Sequence, residues 1–101
     1  MKLYIDTSNK DKVILKVDGD KYQTDAKKDK SQKLLPFIIE VLEKKGKKIE
    51  DISEIEVNTG PGSFTGLRVG VSVAQTIGWF LRVPVNGIDV TKGKPINIKY
   101  K

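Results

Sequence analysis

The sequence predicts an α/β fold of five strands and two main helices, and three observations carry that prediction. Short β-prone runs separated by turn residues fill the N-terminal quarter. Two longer stretches, Ser31 to Gly46 and Phe64 to Leu81, place apolar residues at helical spacing. A further strand signal follows each helix, so helix and strand alternate through the rest of the chain.

The first strand is "KLYI", Lys2 to Ile5, stopped by the turn-rich "DTSNKD". The apolar block of "KVILKVDGDKYQTDA" then runs into Asp18-Gly19, a strong hairpin signal between β-prone flanks, so strands one to three form an antiparallel meander. Ser31 serves as N-cap of the first helix, whose apolar positions are Leu34, Leu35, Ile38, Val41 and Leu42. Lysines in the last turn and Gly46 mark its end. Phe37 and Ile39 widen the apolar face beyond what one sheet contact needs, and Pro36 predicts an irregular first turn or a later start.

"ISEIEV" alternates as a fourth strand and runs into a glycine-rich turn. The second helix, Phe64 to Leu81, is expected despite Val69, Val71 and Val73, because eighteen residues are too long for one strand. "RVPVNGID" reads as a fifth strand, and the alternation in "KPINIKYK" leaves room for a sixth, edge strand.

At 101 residues the chain fits one domain, 1–101, too short for two domains facing across a cleft. It contains no cysteine and no histidine, which removes disulfides, thiolate chemistry and nearly every ordinary zinc or imidazole site. No metal site or cofactor is expected. The charged start and the lack of a membrane-length apolar run predict a cytoplasmic protein that makes no membrane contact. The net charge of +6 is concentrated in lysines at Lys27, Lys28, Lys30 and Lys33 and at Lys44, Lys45, Lys47 and Lys48. Such clusters bind phosphate backbones without sequence preference, but no aromatic residue is interleaved with them, which favours a role in solubility.

The turn after strand four poses the functional question. A strand, a glycine-rich turn and a helix N-terminus together present backbone N–H groups to an anion. Gly60, Pro61, Gly62 and Ser63, with Asp6, Thr7 and Ser8 of the first turn, are therefore candidates for residual phosphate binding. The spacing matches neither a Walker A loop nor G-x-G-x-x-G, and turn capping is the simpler role for Asp6 to Ser8. The better-supported reading is structural: Gly66, Gly70, Ala74 and Gly78 recur every four residues as a smooth ridge along which another backbone approaches closely. With Leu67 and Val71 beside it, and with Leu34, Leu35, Ile38 and Leu42 of the first helix, this ridge is the expected interface.

These residues carry a resemblance. "YIDTS", "SQKLLPFIIEVL" and above all "NTGPGSFTGLRVGVSVAQTIGWFLRVPVNG" are similar to the N-terminal half of the TsaB (YeaZ) family. The block "GPGSFTGLR-G", Gly60 to Gly70, is highly characteristic of that family and of its catalytic relative TsaD. The resemblance covers residues 1–87 and leaves 88–101 as a divergent tail.

The resemblance implies an actin-like, ribonuclease-H-like ATPase domain with a mixed five-stranded sheet. It also implies a non-catalytic partner in making threonylcarbamoyladenosine on tRNA, beside the anticodon. TsaD transfers the threonylcarbamoyl group, TsaB binds and supports it, and the ATPase TsaE is a further partner. tRNA is then met only indirectly, and a homodimer is expected in isolation, through the surface that also receives the transferase. The family's older glycoprotease label, a metallopeptidase reading, is discounted for a chain without histidine.

Two departures are visible. Family members continue into a second domain, so the adenosine side of an actin-like cleft is missing here. Asp29, Lys30 and Ser31 also stand where members often have a His-Ser pair. The turn Gly60 to Ser63 thus resembles an inherited phosphate loop with half its site, and function is expected to reside in a surface.

Overall fold

The computed structural model describes residues 1–26, 29–93, 96 and 98. Alternation in the first three runs produces β1 (Lys2–Asp6), β2 (Lys12–Val17) and β3 (Asp20–Asp25), an antiparallel meander in which Ile5 faces Leu15 and Val17 faces Asp20. The β2–β3 turn has Asp18 at φ 50° and Gly19 at φ 91°. Positive φ at both central residues matches the right-handed strand twist, which is why Asp-Gly makes this hairpin.

Helix α1 (Lys30–Lys44) begins one residue before the expected N-cap. Asp29, left-handed at φ 59°, takes that place, and its carbonyl accepts from Gln32 and Lys33 N–H at 2.9 and 3.0 Å. Pro36 does not delay the helix. It lies inside it, where its missing N–H forfeits one bond to the carbonyl of the exposed Gln32, a group that water can satisfy. A 3-10 turn (Ile49–Asp51) leads to β4 (Glu54–Val57), which pairs with β1 in parallel, Val57 beside Ile5. Helix α2 spans Phe64–Leu81, the range expected from sequence.

The sheet has four strands in the order β3-β2-β1-β4, mixed as the resemblance implied, but not five. In place of a fifth strand, Val85 makes single bridges to Ile55 and Ile88. Pro84 has no N–H to extend a ladder, and the chain turns away at once through Asn86 (φ 51°) and Gly87 (φ 75°). The side-chain amide of Asn86 then does what a strand would do. Its Oδ1 accepts from Val57 N–H at 2.8 Å and its Nδ2 donates to Val57 O at 3.1 Å. The expected sixth strand, 94–101, falls outside the described residues apart from Ile96 and Ile98.

Both helices pack on one face of this sheet. Leu3, Ile5, Val13, Leu15, Ile55 and Val57 point into the core, where they meet Leu34, Ile38 and Leu42 of α1 and Val71, Ala74 and Ile77 of α2. The opposite face is polar and solvated, as an antiparallel-rich sheet allows. There Lys2 pairs with Glu56 at 2.8 Å and the Lys16 ammonium sits 5.5 Å from the Tyr4 ring centre. Among the described residues no helix is long and apolar enough to cross a membrane.

Candidate functional site: the glycine turn and the outer face of the helices

Parallel pairing of β1 with β4 brings the first turn and the glycine turn together. Asn58 N–H donates to Ile5 O at 2.9 Å, prolonging the ladder, and the Asn58 side chain then fastens both turns. Its Nδ2 donates to Asp6 Oδ1 at 3.1 Å and to Ser8 Oγ at 3.3 Å, while its Oδ1 accepts from Gly60 N–H at 2.9 Å. Asp6 Oδ1 also accepts from Ser8 N–H and Ser8 Oγ, at 2.9 and 2.6 Å. Ser63 N–H donates to Ser8 O at 2.8 Å. The Gly60–Pro61 peptide is cis, and Gly60 has φ 117°. A Cβ on Gly62 would lie 2.5 Å from Ser8 Cβ, so this position requires glycine.

The start of α2 is tied to the same place. Ser63 is its N-cap, accepting from Gly66 N–H at 3.3 Å. Thr7, wholly buried, donates its hydroxyl to Gly66 O at 2.5 Å. Lys30 Nζ donates to Asn9 O at 2.5 Å and more weakly to Thr7 O at 3.5 Å. Partial burial holds its ammonium below the ordinary lysine range, against the opposing pull of Asp11 and Asp6.

Asp6, Thr7, Ser8, Gly60, Pro61, Gly62 and Ser63 therefore do gather at one end of the sheet. Many donors here serve one another: the N–H groups of Gly60, Ser63 and Gly66 and the hydroxyls of Thr7 and Ser8 have partners within the turn pair. Chemically these bonds make a clasp that joins two turns to a helix. Among the described residues no group of three or more carboxylates gathers to hold a metal ion.

Asn58 and Asn86 were not singled out from sequence, and Lys30 stood out there only as part of a lysine cluster and of a departure from the family pattern. Asn58 had a local signal, because Asn two residues before Gly is an Asx-turn pattern. Lys30 and Asn86 reach partners 21 and 29 residues away in the chain, and nothing local marks such contacts.

The residues expected to form an interface are mostly interior. Leu34, Ile38 and Leu42 of α1 and Val71 and Ala74 of α2 are buried in the chain's own core, and Gly66, Leu67, Gly70 and Gly78 are buried as well. The glycine ridge does permit close approach, but its neighbours are intramolecular. A Cβ on Gly66 or Gly70 would collide with Thr7, and one on Gly78 would lie 2.5 Å from Val85 Cγ2. Only Leu35 of the expected set is exposed, at 41%. The accessible apolar surface lies around the helices from that set: Leu35, Ile39, Phe64, Trp79 and Phe80 are all at least 41% exposed. A groove there is lined by Phe64, Val69 and Val73 together with Arg68 and the hydroxyl side chains of Ser31, Thr65 and Ser72. The lysines near the end of α1 are partly neutralised, Lys45 by Asp20 and Lys44 by Glu40.

A family model described as "TsaD: tRNA N6-adenosine threonylcarbamoyltransferase" matches residues 21–95. The chain is 37% identical over 91 residues to the tRNA threonylcarbamoyladenosine biosynthesis protein TsaB of Bacillus subtilis (strain 168), covering 86% of this chain and 40% of that one. It is 38% identical over 68 residues to the tRNA N6-adenosine threonylcarbamoyltransferase of Nitrosospira multiformis, covering 67% of this chain and 20% of the other. Among solved structures, YeaZ from Pseudomonas aeruginosa superposes with a TM-score of 0.69 at 30% identity, covering 83% of this chain and 41% of that one. The chain thus spans about two fifths of the TsaB and YeaZ relatives it matches.

Proposed function

The chain belongs to the TsaD family, on its TsaB (YeaZ) branch, and from that premise we propose that it is a cytoplasmic, non-catalytic subunit that binds and supports a TsaD-like transferase in threonylcarbamoyladenosine modification of tRNA. The observation that carries this reading is the outer face of α1 and α2. Five large apolar side chains, Leu35, Ile39, Phe64, Trp79 and Phe80, are exposed on these two helices, and exposed apolar surface of this kind marks candidate protein contacts. The same face pairs two copies of the chain when the transferase is absent, so homodimer and heterodimer compete. A TsaE-like ATPase joins the assembled pair, and tRNA is engaged through the transferase.

A non-catalytic role accords with the chemistry present. The sequence offers neither imidazole nor thiolate. The Thr7 hydroxyl beside the glycine turn is wholly buried and bound to Gly66 O, which leaves it poorly placed to act as a nucleophile.

The test is co-purification with the TsaD-like transferase encoded in the same genome. A stable one-to-one complex that Leu35→Glu disrupts, with the variant still folded by circular dichroism, is the expected result. A folded wild-type chain that fails to associate would sink the proposal.

A further inference from the structure

Helix α2 contains one charged residue, Arg68, in eighteen, and no acid. Its guanidinium lies over the Phe64 ring, 5.5 Å from the centre, beside the groove with Val69 and Val73. Arg68 has no ion pair among the described residues. On α1, which contributes Ser31 to the groove, Leu35 and Ile39 are apolar and exposed, Glu40 is paired with Lys44 at 3.8 Å, and Glu43 is exposed. The groove therefore mixes apolar and hydroxyl side chains, with one cation near the start of α2 and no carboxylate on that helix.

We propose that Arg68 is the specificity determinant of this face, and that the groove accepts a protein surface which sets a carboxylate against the guanidinium amid apolar side chains. The inference rests on the function proposed above and names the chemistry of the partner. Covering this face desolvates Arg68, and a desolvated guanidinium is costly unless it meets an anion, best a bidentate carboxylate. A second copy of α2 brings another Arg68 and no acid, so contact of α2 with α2 sets two cations together, and a counter-charge could come only from α1. A partner with an acid at that point is favoured over self by the same term. An RNA phosphate is the competing anion, but a single arginine beside Phe64, Val69 and Val73 suits a protein interface better than a nucleic-acid backbone, which is usually met by several cations.

The experiment measures affinity of the full chain for the same transferase by calorimetry at low and high salt, with Arg68→Glu, Arg68→Met and Arg68→Lys compared. Arg68→Met retains an unbranched stem over Phe64 while deleting the charge. Expected are about 30-fold weaker binding for Arg68→Glu, about 10-fold for Arg68→Met, and a smaller loss for Arg68→Lys, which keeps charge but not the fork. Salt should weaken the wild-type complex and leave the Arg68→Met complex nearly unchanged. By light scattering, Arg68→Met should self-associate more strongly than wild type. Variants that all bind the transferase as wild type does would overturn this inference and leave the proposed function intact. Competition by bulk tRNA that Arg68→Met abolishes would overturn it in favour of RNA. Failure of the wild-type chain to bind the transferase would remove both.

Discussion

Lys30 shows how one side chain holds a junction at an electrostatic cost. Its ammonium satisfies Asn9 O and Thr7 O where β1 ends, and burial lowers its pKa below the ordinary 10.5. The unfolded chain therefore holds that proton more tightly than the folded one. Stability attributable to this group rises with pH between its lowered folded value and 10.5, the reverse of a lysine stabilised by a partner. Lys2 and Lys45, whose values are raised by Glu56 and Asp20, lose their contribution only as pH climbs past 10.5. Comparison with Lys30→Met cancels such other groups. The urea midpoint of wild type relative to this variant should increase from neutral pH toward 10.5. A flat difference would mean that Lys30 is as well solvated as any surface lysine.

At the scale of elements, α2 is seated by glycine and the sheet edge is closed by an amide. Gly70 rests on the buried Thr7 side chain, so Gly70→Leu must lift the helix off β1, and overpacking of this kind costs roughly 1–3 kcal/mol or more. Ser63→Ala removes one N-cap bond, worth about 1 kcal/mol, and leaves the packing alone. Thermal denaturation should place Gly70→Leu well below Ser63→Ala, and equal melting temperatures would show that the helix does not need its close seat. Asn86→Ala removes both partners of the Val57 peptide, at about 1–3 kcal/mol. Amide exchange at Val57 should then accelerate more than at Ile55, whose N–H donates to the Pro84 carbonyl. Uniform acceleration along β4 would mean that Asn86 supports the fold generally and does not cap the edge.

For the whole molecule, the question is what covers the outer face of the helices. The free chain is expected to dimerise, and light scattering at rising concentration should show twice the monomer mass, with Leu35→Glu shifting it back. A monomer at millimolar concentration would exclude self-pairing. Nucleotide binding by this chain is expected to fail, because the N–H groups of Gly60, Ser63 and Gly66 are engaged within the clasp. Calorimetry with ATP and ADP should give no saturable isotherm at submillimolar nucleotide. A micromolar one would return the glycine turn to service as a phosphate site.

Local chemistry determined most of the framework from sequence alone. Asp18-Gly19 specified its hairpin through positive φ, period-two alternation marked β1, β2 and β4, and helical spacing set α2 from Phe64 to Leu81. The four-residue glycine spacing correctly announced close approach, because glycine on one helix stripe has that meaning whatever lies opposite. What lies opposite was decided only in three dimensions. Pairing of β1 with β4 put Thr7 under Gly66 and Gly70, which turned the expected interface inward and left Leu35, Ile39, Phe64, Trp79 and Phe80 outside. Asn86 replaced a fifth strand by an equally non-local route. An amphipathic pattern states that a face is buried, but the partner that buries it is fixed by contacts between residues far apart in the chain, and no local rule encodes those.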